Sequence, residues 1–224
     1  MDMYRGEQPK RAFTGFGAPA TLIIGGATIL VSLALILLGS VDAAALWGGF
    51  IPARIGGTSA LAQQYALAPT WLTPLTATLV HGGFLHLGFN MIMLFYTGRE
   101  SERAVGVRGI VVLYLVGAYA AAGTQWLAGP NEQMPMIGAS GALSAIVGAY
   151  SLLYGRSRAK AIGPIPARVV HVIWLALAWT GINLLVGLMS VQAGQPIAAA
   201  AHVGGFVAGL ALARPLLAWN WRDA

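Results

Sequence analysis

Long runs of apolar residues, separated by short polar stretches and by stretches rich in Gly and Pro, form the main pattern of this chain. Each run reaches or approaches the roughly 20 residues that a helix needs to cross the hydrocarbon layer of a membrane. The runs lie at residues 18–39, 80–98, 107–128, 138–155, 169–190 and 197–218. The pattern therefore predicts an all-α, polytopic membrane protein with six transmembrane helices.

The same pattern predicts an N-terminal tail at residues 1–17, a membrane domain at 18–218 and a short C-terminal tail at 219–224. The first loop, residues 40–79, is long and interleaves aromatic residues with Gly and Pro. Aromatic rings favour the headgroup level, and irregular backbone is not tolerated against lipid tails. We expect this loop to lie in the membrane interface, although any single Trp in it also fits an ordinary aromatic belt.

Positive charge is unequally divided between the two sides of this predicted bundle. Of the thirteen Lys and Arg, only Arg54 falls on one side, and the others share the side of both termini. These are Arg5, Lys10, Arg11, Arg99, Arg103, Arg108, Arg156, Arg158, Lys160, Arg168, Arg214 and Arg222. The positive-inside rule then places both termini in the cytoplasm. Spans two, four and six then run inward from the outer side. We expect the membrane to be a bacterial inner membrane.

Composition supports the membrane assignment and narrows the chemistry. Hydrophobic residues make up 57% of the chain and charged residues 9%, and the mean hydropathy is +0.71. The pI near 10.1 would also fit nucleic-acid binding, but the basic residues are dispersed in short loops and form no clustered basic face. The chain has no Cys, which leaves Ser, Thr or Lys for covalent chemistry and excludes disulfides.

Polar side chains are rare inside the predicted spans and occur at similar depths. His86 and Asn90 lie four residues apart in the second span and share one helix face, Ser140 begins the fourth span, and His202 lies near the start of the sixth. Because these three spans run in the same direction, the polar groups can converge about 5–15 Å below the outer surface. Polar groups inside a bilayer are costly and usually face a protein interior. Their common depth predicts a single site.

Small residues would allow the fourth and sixth spans to approach closely. Gly205 and Gly209 lie one turn apart, and Gly141 and Ala145 have the same spacing. Such faces bring helix backbones together in membranes, and Ser140 could then reach a side chain of the sixth span. Gly and Ala are also simply common in membrane helices.

The chemistry that fits these residues is acyl transfer. A serine hydroxyl becomes a strong nucleophile when a neighbouring base takes its proton, and His is suited to this near neutral pH. His202 would be the base for Ser140, and no carboxylate lies at that depth to complete a triad. Taken singly, the serine also fits a helix cap and each His a structural hydrogen bonder. His81 and His86 do not share a helix face and have no nearby acid in the span, so a metal site is not predicted.

The motifs together resemble the rhomboid intramembrane serine proteases. They are the decapeptide from His81 to Asn90, the Gly138–Gly141 sequence Gly-Ala-Ser-Gly, and Ala201–Gly209 in the sixth span. The resemblance implies a six-helix rhomboid-like bundle and a Ser140–His202 dyad. It also implies these further roles: His86 and Asn90 as oxyanion-site residues, His81 as a structural residue, Glu102 as an anchor of the first loop, and Gly205 as the packing contact of the sixth span.

Two positions depart from the family pattern. An aromatic residue often follows the nucleophile by one turn and stacks on the histidine, but Ser144 occupies that place, which predicts a less rigidly held base. The Trp-Arg pair of the first loop is not in register, since Trp71 precedes Leu72 and Thr73, which predicts that Glu102 lacks an arginine partner.

The predicted function is cleavage of transmembrane segments of membrane proteins near their outer ends, with no cofactor and no metal. The resemblance implies that substrates enter laterally between the second and fifth spans, where Trp174 and Trp179 are candidate gate residues. A catalytically silent rhomboid-like protein that binds membrane clients is the alternative. A small transporter would show midplane charges or broken helices together with an internal repeat, and none of these is evident in the sequence.

Overall fold

The computed structural model describes residues 17–59, 63–155, 159–192 and 197–222. Its main helices are α1 (Pro19–Leu37), α2 (Val41–Gly48), α3 (Phe84–Met93), α4 (Arg99–Ala128), α5 (Ser140–Tyr154), α6 (Ala167–Gln192) and α7 (Ala199–Asn220). The predicted all-α fold class is confirmed. Most of the predicted N-terminal tail, Arg156, Arg158, the Gly194–Pro196 connection and the last two residues lie outside the described residues.

Four helical stretches are long and apolar enough to cross a membrane: Pro19–Leu37, Phe84–Ala128, Ala167–Met189 and Ala199–Asn220. The apolar helix α5 is shorter, with 15 residues. The 45-residue stretch Phe84–Ala128 passes through a π-helical turn at Leu94–Gly98 and is broken at Gly106. Gly106 has φ 75°, a left-handed conformation that glycine adopts without steric cost. This break divides the stretch into the two segments that the apolar pattern predicts as spans two and three, although residues 99–105 are helical and not a loop.

Part of the first loop is buried inside the protein. Phe50 and Ile51 are 2% and 0% exposed, whereas Trp47 and Trp71 are 53% and 69% exposed. The backbone of Phe50 forms two hydrogen bonds with that of Met136, at 3.0 and 2.8 Å. The expectation of an interfacial loop therefore does not hold for Phe50 and Ile51, which pack against protein and attach the loop to the segment that precedes α5.

Helix α5 is the central helix of the described bundle. Every residue from Gly141 to Ala149 is buried, so α5 packs against protein on all sides, as a uniformly apolar helix should. Small residues make this possible. A Cβ atom at Gly205 or Gly209 of α7 would collide with the α5 backbone at Gly141 or Ala145.

Glu102 occupies a different place from the one that the family resemblance implies. Its carboxylate accepts hydrogen bonds from the backbone N–H groups of Ala20 and Thr21, at 3.0 and 2.8 Å, and from the Thr21 hydroxyl at 2.6 Å. The first N–H groups of a helix lack intrahelical partners and attract negative charge. Glu102 therefore anchors the N-terminus of α1, and the prediction that it anchors the first loop is wrong.

Replacement of Glu102 by Ala should lower the stability of the fold. The change leaves two backbone N–H groups and one hydroxyl without their acceptor in a site where Glu102 is 4% exposed, at a cost of about 2–3 kcal/mol. The measurement is the midpoint of thermal unfolding in detergent. Glu100→Ala is the matched control, because that carboxylate pairs with Arg103 at a partly exposed site and such pairs contribute about 0–1 kcal/mol. Equal shifts for the two variants would contradict the assignment.

Gly205→Ala should also destabilise the protein, because the added methyl group would collide with the Gly141 carbonyl oxygen. Relief of such overpacking typically costs about 1–3 kcal/mol. Gly181→Ala on α6 is the control, since a Cβ there meets no atom within 4 Å and Ala favours helix. Thermal unfolding should show a lower midpoint for Gly205→Ala and an unchanged or higher one for Gly181→Ala. The reverse order would rule out close packing at Gly205.

Candidate active site

The site is built around the turn that starts α5. Gly138 has φ 105°, and its N–H donates to the carbonyl of Ala77 at 2.9 Å. A Cβ at Gly138 would lie 2.7 Å from atoms of the His86 ring. The turn therefore requires glycine for its backbone conformation and for the space that His86 occupies. It places Ser140 at the first position of α5, where the backbone N–H has no intrahelical acceptor.

Ser140 and His202 are in direct hydrogen-bond contact. The distance from Ser140 Oγ to His202 Nε2 is 2.7 Å, and both side chains are partly buried. They come from α5 and α7, the two helices that the glycine contacts bring together. The geometry is that of a hydroxyl whose proton can pass to a base.

The two side chains line an apolar cleft with a volume of about 230 Å³. Four of the main helices contribute to it, and Asn90, Ser144 and Asn183 are its other polar residues. The apolar members of the lining are Phe89, Met93, Leu143, Val147, Trp179, Ile182, Val186 and Ile197. The cleft can therefore hold an apolar segment next to the Ser140 hydroxyl.

His86 and Asn90 lie on α3, and Asn90 is one of the α3 residues that line the cleft. Asn90 Nδ2 donates to the His86 carbonyl at 2.8 Å, which leaves one amide hydrogen for another acceptor. Asn90 Oδ1 is buried and has no hydrogen-bond partner among the described residues. His86 Nδ1 accepts from the Gly82 N–H at 3.3 Å, so its other nitrogen, next to Gly138, carries the proton. The His86 N–H therefore lies beside the turn that starts α5, and Asn90 lines the same cleft as Ser140.

His81 connects three parts of the structure. Its Nε2 accepts from the Ala139 N–H at 3.3 Å, and its Nδ1 lies 2.9 Å from the Ser32 hydroxyl. Ser32 donates to the Leu79 carbonyl at 2.8 Å. Because Nε2 is an acceptor, Nδ1 must be the donor to Ser32. This chain of hydrogen bonds ties α1 and the end of the first loop to the residue before Ser140.

The comparison with known families agrees with this arrangement. Residues 68–219, more than half of the chain, match the family model described as the Rhomboid domain. The matched range includes the α5 turn, Ser140 and His202. The chain belongs to the rhomboid family. With its apolar helices, this membership makes it an integral membrane protein.

Three relatives of this rhomboid illustrate the similarity. Rhomboid-type serine protease 2 of Emericella nidulans is 29% identical over 147 residues, 63% of this chain and 26% of that protein. RHOMBOID-like protein 5 of Arabidopsis thaliana is 30% identical over 138 residues, 62% of this chain and 41% of the relative. Rhomboid protease GlpG of Pectobacterium atrosepticum is 31% identical over 136 residues, 60% of this chain and 45% of the relative. The chain thus spans less than half the length of these three relatives.

This rhomboid holds His202 in a way that its sequence motifs do not predict. Ser144 donates its hydroxyl to the Ser140 carbonyl at 2.8 Å. The second imidazole nitrogen of His202 lies 2.8 Å from Asn183 Oδ1 on α6. Asn183 thus supplies a contact to the base from another helix, and whether the base is less rigidly held stays a prediction. Asn183 was detectable only as an isolated polar residue inside an apolar run.

Trp179 packs against α7. Its ring stacks on Phe206 with centroids 4.8 Å apart, and its Nε1 donates to the His202 carbonyl at 3.2 Å. Trp174, in contrast, is 64% exposed. Trp179 also lines the cleft, and the gate role stays a prediction for both residues.

His81→Leu should destabilise the start of α5, because the Ala139 N–H and the Ser32 hydroxyl both lose their imidazole partner. Each buried group left unpaired costs about 1–3 kcal/mol. His171→Leu is the matched control, since His171 Nε2 has no hydrogen-bond partner among the described residues. Thermal unfolding in detergent should separate the two variants. A His81→Leu protein as stable as the His171→Leu protein would show that these hydrogen bonds contribute little.

Proposed function

We propose that this protein is an intramembrane serine endopeptidase that cleaves transmembrane segments of other membrane proteins. The observation that carries the proposal is the 2.7 Å contact between Ser140 Oγ and His202 Nε2 at an apolar cleft between helices. Membership of the rhomboid family supports it, as does the similarity to relatives named as serine proteases. Ser140 and His202 are then the catalytic residues.

The reaction follows from their geometry. His202 Nε2 takes the proton of the Ser140 hydroxyl while Oγ attacks the carbonyl carbon of the scissile peptide bond. The tetrahedral intermediate collapses, the C–N bond breaks, and His202 returns the proton to the leaving amine. Water then attacks the acyl-enzyme, with His202 as the base again. These steps require no cofactor and no metal.

The oxyanion that forms on the carbonyl oxygen needs donors that are already in place, and one such donor is worth about 10²–10³ in rate. The candidates are the Ser140 backbone N–H, the His86 Nε2–H and the remaining Asn90 amide hydrogen. The first two lie at the start of α5, and Asn90 lines the same cleft as Ser140. His81, Gly141, Gly205 and Gly209 support this arrangement by hydrogen bonding and close packing.

The substrate class follows from the position of the cleft. Because α3 and α6 both line it, a transmembrane segment would enter laterally between these two helices. A helical segment has its carbonyl groups hydrogen-bonded, so it must unwind locally before Ser140 can attack. Gly and other helix-destabilising residues near the cleavage site favour this step. With both termini cytoplasmic, the cleft lies towards the outer side, and we propose a bacterial inner membrane as the location.

A fluorophosphonate probe tests the proposal directly, because it reacts with an activated serine. The wild-type protein in detergent should be labelled, and Ser140→Ala should not be labelled. His202→Ala should react at least about 10³-fold more slowly than the wild type. Ser151→Ala is the matched control, since Ser151 lies on the same helix about 16 Å from Ser140 and should keep the label. The same variants should give the same order in cleavage of a panel of single-span substrates in liposomes.

Absence of labelling in the wild-type protein, under conditions that label an active serine hydrolase, would contradict the protease proposal. The protein would then be better described as a rhomboid-like binder of membrane clients. Labelling that persists in Ser140→Ala would place the nucleophile elsewhere.

A further inference from the structure

Helix α6 has one buried side chain within its described part. Among the side chains of residues 167–189, only Asn183 is buried, with 5% exposure. A polar side chain inside a membrane helix is costly and usually has a specific partner. The other described side chains of this helix are half-buried or exposed, so the burial of a polar Asn183 requires a specific partner.

The hydrogen bonds of Asn183 fix the orientation of its amide. Asn183 Nδ2 donates to the Trp179 carbonyl at 2.9 Å. A carbonyl only accepts, so the amide oxygen must be the atom that points to His202 Nδ1, at 2.8 Å. The amide oxygen also only accepts, which requires that His202 Nδ1 carries the proton. His202 Nε2 is then left with its lone pair towards the Ser140 hydroxyl.

We propose that Asn183 is a positioning residue for the catalytic base, and that the site is an Asn-His-Ser array and not a dyad alone. This inference rests on the proposed protease function and adds a residue to it. Asn183 holds His202 in the one tautomer whose Nε2 can accept the serine proton, and it holds the ring plane towards Ser140. When Nε2 becomes protonated, the Asn183 oxygen still accepts from Nδ1–H and stabilises the positive charge. Asn183 itself exchanges no proton.

Neighbouring contacts fix α6 against α7 around this hydrogen bond. Trp179, one turn before Asn183, donates to the His202 carbonyl and stacks on Phe206, one turn after His202. The imidazole and the backbone of the same residue are thus both held by α6. The residue one turn after the nucleophile is Ser144, so it supplies no aromatic contact to the imidazole. Its hydroxyl donates to the Ser140 carbonyl. Orientation of the base comes from α6.

The test compares Asn183→Leu with Asn183→Asp in the full-length protein. Leu is similar in size but removes the acceptor, whereas Asp keeps an oxygen that can accept from Nδ1–H. Leu184→Ala is the control on α6, because Leu184 is 57% exposed. Three quantities are measured: the rate of fluorophosphonate labelling, kcat and KM for a transmembrane substrate, and the tautomer of His202 by nitrogen-15 NMR, assigned with His202→Ala.

Asn183→Leu should lower the labelling rate and kcat about 10- to 100-fold, the loss typical of a misplaced reacting group, with KM little changed. Asn183→Asp should restore most of that rate. The His202 signals should show the Nδ1–H tautomer in the wild type and a mixture in Asn183→Leu. Leu184→Ala should match the wild type.

A folded Asn183→Leu protein with the wild-type labelling rate and tautomer would overturn the proposal. So would equal losses in Asn183→Leu and Asn183→Asp together with an unchanged His202 tautomer, because that result indicates a purely structural role. The protease function fails separately, if the wild type is neither labelled nor active. In that case the tautomer measurement still decides whether Asn183 sets the protonation of the ring.

Discussion

The close approach of α5 and α7 is the constraint on which the site depends. Helices in a membrane gain no hydrophobic free energy by associating, because lipid tails are as apolar as their own side chains, so packing contacts must hold them together. At Gly205 and Gly209 the α7 backbone lies directly against the α5 backbone, with no room for a methyl group. Only at this separation can a side chain as short as serine reach an imidazole on the neighbouring helix. The hydrogen bond from Ser140 to His202 thus depends on Gly205 and Gly209, which have no side chain to separate the two helices.

A second constraint is that polar groups in such an environment need partners within the protein. Three described polar residues meet this requirement by joining separate parts of the structure. His81 connects α1 to the start of α5, Glu102 connects α4 to the start of α1, and Asn183 connects α6 to α7. Asn90 Oδ1, buried without a partner among the described residues, is the exception in the cleft.

Much of this arrangement could be predicted from the sequence because its signals are local and periodic. Apolar runs predicted the helices, and the spacing of small residues predicted which helices approach. The partners of Glu102 and Asn183 could not be predicted in this way, because they depend on how each helix is rotated about its axis. The sequence also could not predict which residues of the first loop are buried. Phe50 and Trp47 are both aromatic, and only the tertiary structure distinguishes the buried ring from the exposed one. The pattern also did not predict that residues 99–105 are helical, because their charged side chains suggested a loop between two spans.

The placement of Asn183 has a mechanical consequence. Helix α6 forms one wall of the cleft and is the most exposed of the long helices, yet its one buried described side chain is hydrogen-bonded to His202. A hydrogen bond does not survive a separation much beyond about 3.5 Å, so an outward movement of α6 by roughly 1 Å would release the imidazole. If α6 is the wall that moves to admit a substrate, the movement that opens the cleft also frees the imidazole from Asn183. The protease proposed above would then need α6 to return before His202 could act as the base.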